Sequence, residues 1–237
     1  MEFIYGKHSV LEALEQRPDC VARVYADSKH TDTLARFSSI HTQPISTAIL
    51  KEIPRDAVHQ GIIAQFNTKK LVTPFRQWMQ SFTPERASSV VILGELTDPQ
   101  NVGAIIRSAV AFGVSAILIP EHRSVGITGT VIKVSVGTIF NIPIVEIPNT
   151  NTAIRDLKET GFWIYGLDME GDVSLPDETF DKPSAIIVGN EAKGIRQKTR
   201  EHCDIVLSIP MHGKAESLNA ATATAVTLYA WSVRAYG

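Results

Sequence analysis

The chain has 237 residues, 44% of them apolar and 20% charged, with a net charge of −2. These proportions exclude a disordered chain, and the length allows one large domain or two smaller ones. The near-neutral charge excludes a surface coated in basic residues, apolar runs such as Val114–Pro120 are too short to span a bilayer, and two isolated cysteines exclude a disulfide framework or a zinc site.

The first ten residues include Glu2, Lys7 and His8, which fit neither a signal peptide nor a transit peptide. Cys20 and Cys203 are expected to be reduced thiols of a cytoplasmic protein. Val10, Leu11 and Leu14 have helical spacing, predicting a helix over Lys7–Gln16 that stops before Pro18. Val21–Tyr25 and Gly61–Phe66 read as strands, with helical or loop segments between them. The next stretch, to Ser89, holds Pro74, Pro84 and the adjacent Lys69 and Lys70, and reads as a linker with one short helix around Phe75–Met79. Residues 1–84 carry ten Lys or Arg against eight Asp or Glu, and the remainder thirteen against seventeen. That weak asymmetry favours the first part as any polyanion-facing region.

From Ala87 onward strand and helix alternate. Strands are predicted at Val90–Leu96, Ser115–Ile119, Ile142–Ile147, Phe162–Leu167, Ala185–Val188 and Ile205–Ile209. Helices are predicted at Asn101–Phe112, Thr130–Ile139, Thr152–Thr160, Gly194–His202 and Leu218–Ala235. The strands are continuous Val/Ile/Leu runs, as when helices cover both faces of a parallel sheet, so the class is α/β. The expected organisation is a small domain over 1–68, a linker over 69–88 and a larger α/β domain over 89–237.

Three polar, glycine-bearing segments each follow a predicted strand: Asp98-Pro-Gln-Asn-Val-Gly-Ala-Ile-Ile-Arg107, Gly189-Asn-Glu-Ala-Lys-Gly194 and Ile209-Pro-Met-His-Gly-Lys-Ala-Glu-Ser-Leu-Asn219. Loops at the carboxyl ends of parallel strands converge on one rim, where ligands bind. The chain contains no G-x-G, so the dinucleotide fingerprint is absent. Gly189 and Gly194 have phosphate-loop spacing, but Ile195-Arg196 replace the Lys-Ser/Thr that such a loop needs. No Ser stands in a G-x-S-x-G turn.

In this order the three segments resemble the signature motifs of the SpoU/TrmH family, RNA ribose 2′-O-methyltransferases of the SPOUT superfamily. The matching positions are Asp98-Pro99, Asn101, Gly103 and Arg107-Ser108-Ala109, then Val188–Gly194, then Ile209–Gly213 with Glu216–Asn219. Asn190 and Ala192 are less typical, and Ala220-Ala221-Thr222 stand where the family more often has Val-Ser-Val. Tyr5–Val10 and Val58-His59-Gln60-Gly61 resemble the small ribosomal-protein-like RNA-binding domain often fused in front. The whole looks closest to the bacterial branch that methylates a guanosine of 23S ribosomal RNA, with Thr199–Asp204 strengthening that likeness.

The resemblance implies a trefoil-knotted sheet, a homodimer with each site completed at the subunit interface, and S-adenosylmethionine as methyl donor. It assigns donor binding to Gly189, Ile209, Leu218, Met211 and Gly213, largely through main chain, where a missing Cβ lets backbone approach a ligand. It assigns catalysis to Arg107, Asn101, Glu191, Ser217 and Asn219, with no metal. Arg107 lies off the apolar stripe of its helix, above Gly103, and is expected to reach back over that glycine towards the rim. The family's proposed role for it is a general base; a guanidinium that stays protonated suits a phosphate and alkoxide clamp better. Ser217 fits equally a site residue or an N-cap of the last helix. Leu228, Tyr229 and Trp231 on that helix fit equally a dimer face or a monomer core. Lys7, His8 and Arg23 are candidate phosphate contacts. Two alternatives stand beside this reading: a transfer RNA ribose methyltransferase, and a catalytically idle RNA-binding or ribosome-assembly factor.

Overall fold

The computed structural model describes residues 1–37, 39–190, 194–214 and 217–237. The first unit holds β1 (Glu2–Tyr5), α1 (Lys7–Gln16), β2 (Val21–Ala26), α2 (Thr31–Ala35), β3 (Thr42–Gln43), α3 (Thr47–Leu50) and β4 (Ile62–Phe66). Its four-stranded sheet runs β1-β4-β2-β3; β4 is antiparallel to both neighbours and β3 lies parallel to β2. Val10, Ala13 and Leu14 bury one face of α1, which ends where Pro18 removes the next amide donor.

The remainder holds β5 (Val72–Pro74), α4 (Phe75–Ser81), β6 (Ser89–Leu93), α5 (Pro99–Ala111), β7 (Ala116–Pro120), α6 (Gly129–Val134), β8 (Ile144–Ile147) and α7 (Thr150–Glu159). It continues with β9 (Trp163–Leu167), β10 (Val173–Ser174), β11 (Ser184–Val188), α8 (Gln197–Arg200), β12 (Ile205–Ser208) and α9 (Ala220–Tyr236). The eight strands form one all-parallel sheet in the order β10-β12-β9-β11-β6-β7-β8-β5. Every residue of β11, β6 and β7 is buried, which explains their uninterrupted apolar sequence.

Alternate side chains of these strands feed two cores. Val91, Leu93, Ile117 and Ile186 pack with Ile105 and Ile106 of α5 and with Leu228 and Trp231 of α9. Val90, Ile92, Leu118 and Ile187 pack with Phe75 and Trp78 of α4 and Ile154 and Leu157 of α7. Helices therefore cover both faces, as the sequence predicts. The first core runs on without a break into Ile4, Val10 and Phe66 of the first unit. Phe66 and Phe140 meet with ring centroids 5.3 Å apart, Asn141 Nδ2 donates to Glu12 Oε1 at 2.8 Å, and a methyl group on Gly129 would overlap the Phe3 carbonyl.

Four expectations change in the structure. The predicted helix over Gly194–His202 shrinks to Gln197–Arg200, because Gly194 is left-handed (φ 62°) and bridged to Asn190. The one over Thr130–Ile139 ends at Val134, since Val136 and Gly137 both turn left-handed before a 3₁₀ turn. The last helix starts at Ala220 instead of Leu218. Within the expected linker, the short helix is α4, but β5 precedes it and pairs with β8 as the edge of the large sheet.

Candidate active site at the carboxyl rim

With all strands parallel, the loops after β6, β11 and β12 open on one edge of the sheet, and β6 and β11 are neighbours. In the first loop Asp98 caps α5, its Oδ1 accepting from Gln100 N at 2.8 Å with Pro99 in the first turn. Asn101 follows and is buried. Asn219 Nδ2 donates to Asn101 Oδ1 at 2.8 Å, and Asn219 Oδ1 accepts from Ala221 N at 2.8 Å and Thr222 N at 3.4 Å. One amide thus caps α9 and ties the third loop to the first. Ser217, the sequence candidate for that cap, lies exposed two residues before it.

Arg107 lies about 9 Å further along α5, at 1.5 Å per residue. Val102, Ile105, Ile106 and Ala109 are fully buried while Arg107 is exposed, and among the described residues no carboxylate pairs with it. The space over Gly103 is not an open passage. A Cβ there would sit 2.6 Å from Val134 Cβ and 2.9 Å from the Val131 carbonyl, so this glycine admits α6 against α5.

Gly189 is likewise filled by its own chain, a correction to the expected ligand approach at its missing Cβ. A methyl group there would overlap the Gly194 carbonyl and Ile195 amide, while Gly94 N donates to Val188 O at 2.7 Å. Together Gly94, Gly189 and Gly194 wall a narrow cleft of ≈ 50 Å³ with Ile187, Ile195 and Thr199. Ile209, Met211, Gly213 and Leu218 do not line it; Ile209 packs against the core, while Met211 and Leu218 are exposed. Glu191 and Glu216 lie outside the described residues.

Beside this cleft a wider one of ≈ 540 Å³ opens between Glu95, Thr97, Arg123, Ser124, Asn190 and Arg196. Arg196 Nε and Nη2 contact Glu95 Oε2 at 2.9 and 2.6 Å. Arg123 Nη1 stands 3.9 Å from Glu95 Oε1, and Asn190 Nδ2 donates to Glu95 O at 3.0 Å. The sequence reading missed Glu95, Arg123 and Arg196. The available signal was position: a charged residue just past the carboxyl end of an apolar strand for Glu95 and Arg123, and adjacency to the second motif for Arg196.

In the first unit the two matching pieces meet: Lys7 N donates to Gln60 Oε1 at 2.8 Å. Lys7 and His8 are exposed at the start of α1, and the Lys133 side chain from α6 covers Gly6 beside them. Arg23, half-buried on β2, reaches Gln43 Oε1 at 3.5 Å. Burial pushes the thiols of Cys20 and Cys203 each up to about 11, and burial, then Glu178, raises the Tyr165 hydroxyl. Among the described residues no group of three His, Cys, Asp or Glu could hold a metal, and no helix is long and apolar enough to cross a membrane.

A parallel α/β sheet with motif loops knitted at its carboxyl rim, preceded by a small mixed-sheet unit, defines the class. The chain belongs to the SpoU rRNA Methylase family, whose model matches residues 88–229, and a model for RNA 2′-O ribose methyltransferase substrate binding matches residues 3–72. It is 36% identical over 240 residues to the 23S rRNA (guanosine-2′-O-)-methyltransferase RlmB of Photorhabdus laumondii, covering 96% of both chains. It is 34% identical to a Synechocystis protein named as an uncharacterized tRNA/rRNA methyltransferase, spanning 97% of this chain and 62% of that protein's length. The crystal structure of the SpoU methyltransferase AviRb from Streptomyces viridochromogenes with AdoMet superimposes with a TM-score of 0.83 at 25% identity, over 98% of this chain and 89% of that one.

Proposed function

We propose that this protein transfers the methyl group of S-adenosylmethionine to the ribose 2′-hydroxyl of a guanosine in 23S ribosomal RNA. The observation that carries the reading is the Asn219–Asn101 hydrogen bond, which joins the first and third motif loops at the rim of a chain that matches RlmB proteins almost end to end. Residues 1–68 hold the RNA, with Lys7, His8 and Arg23 on its phosphates, residues 69–88 link, and residues 89–237 carry the chemistry. The two family matches, over 3–72 and 88–229, support that division.

The lining of the narrow cleft fits an adenosine: apolar Ile187 and Ile195 face backbone groups of Gly94, Gly189 and Gly194. At ≈ 50 Å³ its walls must part to admit one. Gly189 offers its main chain from within the cleft, and Ile209, Met211, Gly213 and Leu218, which do not line it, reach the donor by main chain from the third loop. Bound there, it supplies an electrophilic sulfonium methyl group. Arg107, permanently charged and exposed, grips the phosphate beside the target ribose and stabilises charge developing on the 2′-oxygen as its proton passes to water and S-adenosylhomocysteine leaves. Asn101 and Asn219 fix one another and orient the ribose, with Ser217 beside them; Glu191, the acidic candidate of the second motif, lies outside the described residues.

The sheet is knotted through α9, and the protein is a cytoplasmic homodimer that needs no metal. Leu228 and Trp231 belong to the monomer core, whereas Val226, Tyr229, Val233 and Tyr236 form an exposed stripe at helical spacing, the face offered to a second copy.

Incubation of the protein with methyl-labelled S-adenosylmethionine and, in parallel, unmodified 23S rRNA and transfer RNA transcripts tests the reading. Alkali-resistant label at a guanosine is expected. Label on transfer RNA alone would favour the tRNA enzyme, and absence of donor binding by calorimetry would favour the idle scaffold.

A further inference from the structure

Among the described residues, Asn190 is the one member of the three motifs that lines the wider cleft beside the donor site. This cleft spans the rim over three adjacent strands, β11, β6 and β7, and is built from the loop after each. Its ≈ 540 Å³ lies within the usual range of small-ligand sites, roughly 300–1,000 Å³. Glu95, Asn190 and Arg196 line both clefts, so whatever sits in the wide one adjoins the donor.

The lining is chemically lopsided. Among the described lining residues two guanidiniums face one carboxylate, leaving a surplus positive charge, with the hydroxyls of Thr97 and Ser124 alongside. Arg196 donates its Nε–H to Glu95 Oε2 and brings Nη2 into ion-pair contact with the same oxygen, leaving most of its five N–H donors free of that carboxylate. Arg123 is held only loosely, at 3.9 Å, with 69% of its side chain exposed. Its backbone is nevertheless fixed: Val125 N donates to Leu96 O at 2.8 Å and Ser124 Oγ to the same oxygen at 3.3 Å. Glu95 and Arg123 both occupy the left-handed region, at φ 60° and 64°. Strained non-glycine backbone of this kind persists where a fold must aim a side chain.

We propose that Arg123 and Arg196 seat a phosphodiester of the RNA next to the methyl-donor cleft, with Glu95 as the positioning residue that holds the two guanidiniums on opposite walls. Arg123 swings from its loose ion pair onto the phosphate, while Arg196 stays anchored and lends its remaining donors. The assignment rests on the methyltransferase reading and adds to it a substrate contact outside the three motifs.

Binding of 23S rRNA transcript to wild type, Arg123→Ala, Arg123→Gln and Arg123→Lys across a salt series tests it, with donor binding by calorimetry as the check on folding. Arg123→Ala and Arg123→Gln are expected to weaken RNA binding about tenfold and to lower the log–log salt slope by about 0.7–0.9. In methyl transfer the loss should fall on KM for RNA more than on kcat, and Arg123→Lys should recover most of the affinity, since lysine meets a phosphate as a point charge. Unchanged affinity and salt slope in Arg123→Ala, with wild type methylating the same RNA, overturn the inference alone. A wild type that neither binds donor nor methylates overturns the enzymatic reading and this inference with it.

Discussion

Asn219 Nδ2 lies 2.8 Å from Asn101 Oδ1, so two residues 118 positions apart share one hydrogen bond at the start of two different helices. The same Asn219 side chain uses its oxygen to cap α9. The two atoms of one amide therefore separate a structural task from a site-building one. Asn219→Ala loses both and should cost about 2 kcal/mol, roughly one cap and one partly buried hydrogen bond. Asn219→Asp keeps the cap oxygen and loses the donor. Thermal unfolding should place it between wild type and Asn219→Ala, short of wild type by about 1 kcal/mol for the lost hydrogen bond, while methyl transfer falls sharply; equal losses of stability in both variants would contradict this division.

Arg107→Ala should leave folding and donor affinity nearly intact, because the side chain is exposed and unpaired among the described residues. Turnover should drop roughly a hundredfold or more, the usual loss when a group stabilising a transition-state charge is removed. Arg107→Lys should stay slow, since an ammonium lacks the planar fork. Near-normal rates in the lysine variant would remove fork geometry from the mechanism.

The motif glycines should behave unequally. At Gly213 no atom of the described residues beyond its chain neighbours lies within 4 Å of where a Cβ would stand, so Gly213→Ala should unfold within about 0.5 kcal/mol of wild type. Any change in KM for the donor then reports ligand contact directly. Gly189→Ala forces a methyl group into the Gly194–Ile195 backbone and should destabilise by about 1–3 kcal/mol. Denaturant titration of the pair distinguishes a ligand-facing glycine from one that lets the chain fold back on itself.

Both thiols should be inert near neutrality. Burial raises Cys20 and Cys203 to about 11 each. The thiolate is the reactive form, so alkylation of the native protein at pH 8 should be slow and unfolding should release it. A raised folded pKa means that the protonated state is favoured in the fold. Stability from this source is full below the unfolded thiol value, near 8.5, and is lost as pH rises through about 11. Thermal melts between pH 8 and 11 check the direction.

The parallel sheet was legible because β11, β6 and β7 are buried on both faces and so read as unbroken apolar runs. The three rim loops were legible as polar breaks at the ends of such runs. Strands of two residues, β3 and β10, carry no periodicity of their own and exist only because a neighbour offers free backbone groups. Ser217 and Asn219 are equally good caps by type. The choice between them is made by Asn101, far away in sequence. The Glu95–Arg196 pair is of the same kind, joining residues 101 apart. Side-chain exposure at Arg107 followed from helix phase alone, but the filling of Gly103 by Val134 depended on where α6 docks.

The apolar interior runs from Ile4 and Phe66 through Phe140 to Leu93 without a seam. A unit fused in this way cannot swing on a tether, so Lys7 and His8 stand at a set span from the rim loops. On the proposed reading, in which Lys7 and His8 grip the RNA, the protein then acts as a caliper. An RNA presenting its contact and its target at another spacing must itself deform to be served, and that demand for shape selects among folded RNAs without any base being read.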